Sequence, residues 1–187
     1  MDNVMIDLET LDTKPTSMIL TIGAVAFDVD EGLGQEFYSG VRLDFAYPPD
    51  RLSTSGDTIL WWLQQSDAAR ARVTQDCGPS APWLDDMLWN LSDWFEKNFS
   101  PEVKVWGNGA SFDNAILANA YGYCGETLPW KFYNDRCYRT LKNLYPAITA
   151  DPFEGVQHNA LDDAKHQARH AIKLLHYVRG RNDERVL

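Results

Sequence analysis

Three strand-like runs crowd into the first 43 residues, and no other feature restricts the fold as strongly. Asn3 to Leu8 (NVMIDL) reads as a strand buried on both faces. Ile19 to Val29 and Glu36 to Leu43 read as two more strands, with Glu31-Gly32-Leu33-Gly34 as the turn between them. Consecutive strands on so short a link predict an antiparallel meander.

After Pro48-Pro49 the pattern turns helical. Ser53 to Gln65 carries Ile59, Leu60, Trp62 and Leu63, with Ser and Thr caps upstream. A Gly78-Pro79-Ser80 break leads to a second helix, Trp83 to Phe99. Val103 to Trp106 is a short strand, followed by a helix from its N-cap Ser111 to Tyr121. Further helices are expected over Arg136 to Leu144 and Asn159 to Val178, with Arg179 to Arg185 as a frayed tail. This order predicts an α/β layered domain, a mixed sheet covered by helices. No repeat, low-complexity tract or linker divides residues 1–187, so one domain is expected.

Composition narrows the function. With 44% hydrophobic residues the chain is globular, and no apolar run is long enough for a transmembrane helix. No basic-then-apolar leader opens it, and Cys77, Cys124 and Cys137 form neither a zinc spacing nor a disulfide frame. A reducing cytoplasm is the expected setting. The net charge of −10 argues against coating nucleic acid through a broad basic surface. It leaves open a nucleic-acid enzyme whose acidic site holds the metal that faces the phosphate.

Three acid-bearing elements stand out. Asp7 and Glu9 share one face of the first strand, roughly 6–7 Å apart at the backbone. Alone, the pair is better explained by an exposed strand end carrying two acids. Asp113, in Asn108-x3-Phe112-Asp113, falls in the first turn of a helix, where the helix dipole favours an acid for structural reasons alone. His158-x4-Asp163 sets an imidazole before a helix and a carboxylate one turn into it, with Asp162 about 100° away around the axis. His166, His170 and His176 read as surface or packing residues. Jointly, four carboxylates without a thiolate suit two Mg²⁺ or Mn²⁺ ions, which catalyse in-line phosphoryl displacement. A nearby neutral histidine is the natural base for the water.

Asp7-x-Glu9-Thr10, Asn108-x3-Phe112-Asp113 and His158-x4-Asp163 resemble the three exonuclease motifs of the DEDDh superfamily, over almost the whole chain. The resemblance implies a ribonuclease-H-like fold, two divalent metals, and release of nucleoside 5′-monophosphates from a 3′ end. It makes Asp7, Glu9, Asp113 and Asp163 metal ligands and His158 the base. Asp7–Leu11, Ile22–Asp28 and Thr58–Gln64 further resemble a smaller branch, the phage-type exodeoxyribonucleases and related bacterial exoribonucleases. That wording favours single-stranded DNA or 3′ overhangs, with RNA as the alternative. A non-catalytic nucleic-acid-binding module and an endonuclease on the same fold are the rival classes.

Further substrate contacts are expected from Thr10, Leu11, Asn108 and Phe112, with Leu11 either a wedge or simple packing and Phe112 a stacking platform. Most tryptophans read as core; of Trp61 and Trp62 at most one is deeply buried and the other lines a groove or interface. Lys131, Arg136, Arg139 and Lys142 read as a solvated helix face, with backbone phosphates as the alternative. The aromatic excess permits a homodimer.

Overall fold

The computed structural model describes residues 1–43 and 52–183, with backbone alone for 181–183. Pro48-Pro49 and residues 184–187 lie outside the described part. The first strand occupies the centre of a five-stranded sheet. β1 (Asn3–Thr10) pairs antiparallel with β2 (Ile19–Asp28), which pairs antiparallel with β3 (Gly32–Gly40). On its other side β1 runs parallel to β4 (Lys104–Gly107), and β4 parallel to β5 (Asp135–Cys137), giving the order β3-β2-β1-β4-β5. This is the expected meander joined to parallel strands.

The helices cover both faces, so β1 alternates between two buried surfaces. Val4, Ile6 and Leu8 enter the core under α3 (Leu84–Asn98) and α4 (Asp113–Cys124), with Leu88, Leu91 and Leu117. Met5 faces the other way, into the core under α5 (Tyr138–Leu144) and α6 (Ala160–Asp183), with Val25, Phe27 and Trp106. By strand periodicity Asp7 and Glu9 continue the row of Met5, towards the start of α6. A small-residue stripe of buried Ala160, Ala164, Ala168 and Ala171 lets α6 lie close to the sheet. The approach is tightest at Gly23, which is paired with Asp7: a Cβ there would meet the Ala160 carbonyl carbon at 2.2 Å. Hence β2 carries glycine opposite the first acid.

Several local expectations differ from what is seen. α2 (Asp67–Asp76) was not foreseen, because only its Ala69 is buried and no apolar stripe marks it. Ser66 caps it, accepting from Ala69 N–H, and Arg72 reaches Asp76 at 3.5 Å. β5 was read as the start of a helix; its three residues are too few and too polar for periodicity, and pairing with β4 decides them. α4 starts at Asp113 with Phe112 as N-cap and no side-chain cap bond, so Ser111 is not the cap. Gly109 O instead accepts both Phe112 and Asp113 N–H, tightening the turn before the helix. α1 (Gly56–Leu63) is shorter than the expected Ser53 to Gln65: its cap is Ser55, inside that range, because Ser53 is held in a bridge to Ser17. The expected tail continues α6 to Asp183, with Arg179 on Asp30 at 2.9 Å. No helix among the described residues is long and apolar enough to cross a membrane.

Gly23→Ala should therefore lower stability by about 1–3 kcal/mol, as overpacking does. Gly122→Ala, with nothing within 4 Å of the added Cβ, should leave it unchanged or slightly higher. Urea unfolding of both variants checks the contrast.

Candidate active site

Four carboxylates and one imidazole from four elements meet where β1 and β4 end and α4 and α6 begin. Asp7 and Glu9 lie in the second half of β1, and Glu9 is buried. Asp113, 2% exposed, opens α4 beyond the parallel neighbour β4. Gly107 makes its position available: a Cβ there would lie 2.9 Å from Asp113 Oδ2 and 2.5 Å from Asn114 Oδ1. Asp163 stands in the first turn of α6, which Asn159 caps by accepting Asp162 N–H at 3.1 Å.

Asp163 Oδ2 also accepts the His158 backbone N–H at 2.8 Å. His158 has φ 65°, the left-handed region, where it is the sole non-glycine residue among those described. For a side chain with a Cβ that conformation costs energy, and local bonding must hold it. The imidazole so placed has Nδ1 4.0 Å from Glu9 Oε1 and rests edge-on to Trp61, centroids 4.9 Å apart. Donor atoms of Glu9, His158 and Asp163 all lie within 4.8 Å of one another. Asp162 turns to the loop and accepts Val156 N–H at 2.9 Å.

Burial raises the proton affinity of every acid in the group, and repulsion from the other members adds to it at Asp7 and Glu9. Burial chiefly, then the charges of Asp113, Glu9 and Asp163, holds Asp7 well above the usual carboxylate range. Glu9 is pushed up to about 8 by burial and by Asp163 and Asp113. Burial lifts Asp113 to about 7, although neighbouring backbone amides and Arg139 pull it down, and it raises Asp163 as well. The chain supplies this cluster with little compensation. Gln167 Nε2 donates to Asp7 Oδ1 at 2.7 Å, whereas Asp113 Oδ2 is buried without a hydrogen-bond partner. An all-oxygen set of this kind, with an orphaned buried carboxylate oxygen, fits hard divalent cations.

A cavity of about 410 Å³ opens beside the cluster, walled by Leu8, Glu9, Thr10, Thr58, Trp61 and Phe112 among others. Thr10 is buried at its edge; its hydroxyl donates to Asp12 O and its carbonyl accepts Trp62 Nε1–H at 3.0 Å. That bond ties α1 to β1 and buries Trp62, while Trp61 remains 41% exposed on the cavity wall. Leu11 is half-buried against Leu20, Trp62 and Ala69, the packing alternative. Asn108 lies half-buried ahead of Asp113, with Oδ1 unpartnered. Gln167 was missed by sequence reasoning, though it sits four residues after Asp163 and hence on the same helix face.

Comparison with known proteins identifies a family and several similar folds. Residues 2–175 match the model of a family described as the 3′-5′ exoribonuclease Rv2179c-like domain. Among solved structures, the nuclease domain of 3′hExo, a DEDDh family member bound to rAMP, is similar at TM-score 0.63 and 17% identity, over 93% of this chain and 91% of that one. Exonuclease X in complex with 5′ overhanging duplex DNA is similar at TM-score 0.60 and 19% identity, over 94% and 92%. Cell-death related nuclease 4 follows at TM-score 0.63 and 12% identity, over 94% of this chain and 64% of that one. No curated protein matches.

The raised acids fix the sign of a pH effect. Their folded-state affinities for protons exceed those of the unfolded chain, so the stability they contribute is full only below the ordinary carboxylate range and is lost progressively as pH rises from there through about 7 and 8. Metal-free protein should therefore show a melting temperature that falls between pH 5 and 8.5, and Asp7→Asn should flatten the fall. Added Mg²⁺ or Mn²⁺ should restore most of the loss at pH 8 and little at pH 5, read by thermal denaturation with and without EDTA.

Proposed function

The chain belongs to the 3′-5′ exoribonuclease Rv2179c-like domain family, and from that premise we propose that it removes nucleoside 5′-monophosphates from the single-stranded 3′ end of RNA by a two-metal mechanism with His158 as general base. It is a 3′–5′ exonuclease of the DEDDh superfamily on a ribonuclease-H-like fold. The observation that carries the mechanism is the convergence of Asp7, Glu9, Asp113 and Asp163, with His158 beside Glu9 and Asp163 and a buried carboxylate oxygen left unpartnered.

In this reading the four carboxylates hold two divalent cations, Mg²⁺ or Mn²⁺. When bound, the ions supply Lewis acidity for the attacking water and offset charge on the leaving oxygen. The terminal nucleoside enters the cavity, with its base against Trp61 or Phe112 and its sugar near Thr10. Aromatic walls accept any base, since stacking is sequence-tolerant. His158 takes the proton of the water as its oxygen bonds to phosphorus. The bond from phosphorus to the 3′ oxygen of the preceding nucleotide breaks, and that oxygen takes a proton from solvent water to become the new 3′ hydroxyl, while His158 returns its proton to solvent. Trp61 and the Asp163 bond keep the imidazole from turning out of line.

RNA is preferred on the family's description as exoribonucleases. DNA is the second reading, supported by the phage-type wording of Asp7–Leu11, Ile22–Asp28 and Thr58–Gln64. Matched single-stranded RNA and DNA oligomers, labelled at the 5′ end and incubated with Mn²⁺, separate the two. RNA should shorten one nucleotide at a time with 5′-monophosphates released. Internal fragments, or no shortening of either strand, would overturn the proposal. Asp113→Asn should abolish detectable release with the fold retained. His158→Ala should lower kcat about 10²–10⁴-fold, the range for loss of a general base.

A further inference from the structure

Most lysines and arginines among the described residues sit on a carboxylate: Lys97 on Asp93, Lys165 on Glu36 and Arg169 on Glu154 are examples. In a chain of net charge −10 that is the ordinary outcome. Lys131, one of four basic residues clustered between 131 and 142, is neutralised in this way by Glu102. The other three behave differently. Arg136 donates to the carbonyls of Tyr133 and Asp135, and among the described residues neither it, Arg139 nor Lys142 has a carboxylate in ion-pair range.

Arg139 and Lys142 are three residues apart on α5, hence on one helix face, where like charges repel. Lys142 feels this: burial of its stem and the charge of Arg139 hold its ammonium below the usual lysine range. Its Nζ lies 5.1 Å from the centre of the Tyr138 ring. The Arg139 side chain is exposed, and its guanidinium carbon would stand 3.5 Å from a Cβ on Gly109. Gly109 belongs to the loop that launches Asp113. Arg139 therefore flanks the carboxylate cluster through the Gly109 loop, with Lys142 one turn further along α5, and the cavity for the terminal nucleoside is bounded by Glu9, Thr10, Trp61 and Phe112.

We infer that Arg139 and Lys142 bind backbone phosphates of the substrate strand on the 5′ side of the scissile bond, drawing a flexible strand across the Gly109 loop and holding its end in the acidic centre. The inference rests on the proposed exonuclease reading and extends it. Arg139 has the charge of the buried Asp113 to offset it but no carboxylate in direct ion-pair contact, and Lys142 has none among the described residues, so a polyanion stabilises both. Phe112 on the cavity wall donates its N–H to Gly109 O, so a strand that leaves the cavity over this loop meets Arg139 first. Recognition of this kind reads charge spacing and not base identity. It explains how so acidic a molecule gathers an anionic strand: the attraction is concentrated at one lip of the site.

The test compares a decamer RNA with the dinucleoside monophosphate ApA, whose one phosphate is the scissile one. In the double variant Arg139→Ala/Lys142→Ala, kcat/KM for the decamer should fall at least ten times further than kcat/KM for ApA. Binding of the decamer in Ca²⁺, followed by fluorescence anisotropy, should lose about 1.4 from the magnitude of its log–log salt slope, the value for two phosphates on a single strand. The charge-preserving pair Arg139→Lys/Lys142→Arg should restore most of the slope. Equal losses on ApA and the decamer, or an unchanged salt slope, would overturn the inference. The anisotropy arm needs no turnover, so failure of the exonuclease reading itself, seen as an inert wild type, is told apart from failure of the phosphate assignment.

Discussion

Four carboxylates held together out of water are the constraint around which this molecule is organised. Each is taken partly or wholly out of solvent, and each repels the others, so the group opposes folding wherever it is ionised. The scaffold must hold it regardless. It does so with backbone: two acids on the central strand, one at the first residue of a helix following the parallel neighbour, one in the opening turn of the last helix. Few side chains help. Gln167 is bonded to Asp7, and Arg139 favours the charged form of Asp113.

Precision in that arrangement comes from small residues. Alanines under α6 and Gly23 opposite Asp7 fix how closely the last helix lies on the sheet, and Gly107 fixes how closely α4 starts against β4. Where a larger side chain would have separated the elements, the acids would stand too far apart to share a cation. The apolar cores on either face then lock the sheet between its helices, as the burial of Met5, Ile6 and Leu91 illustrates. The cavity beside the cluster is shaped by a second lock, the bond from Trp62 to the Thr10 carbonyl, which fastens α1 to the strand carrying both first acids.

How much of this could be read beforehand follows from which forces dominate locally. β1, β2, α3 and α6 are long and strongly patterned, so their apolar periodicity announced them. β5 and α2 are not patterned: the first exists because β4 offers it a partner, the second because a serine cap and ion pairs hold a polar segment. The acids and His158 were legible because their spacing is joint and spans the chain. Gln167 and the neighbours of the imidazole were not, since Trp61 lies 97 residues from His158 in sequence and no local rule links them. The positive φ of His158, the one non-glycine case among the described residues, was likewise beyond reach, since the Asp163 bond that accompanies it is not written in any local pattern.

That bond has a consequence of its own. A backbone N–H donates more strongly to an ionised carboxylate than to a neutral one. The Asp163 side chain is at once a member of the acidic cluster and the anchor of the strained residue before α6. The imidazole is thus tethered to the cluster's own electrical state: whatever keeps Asp163 negative also tightens the hook from which His158 hangs, and discharging it lets the ring drift.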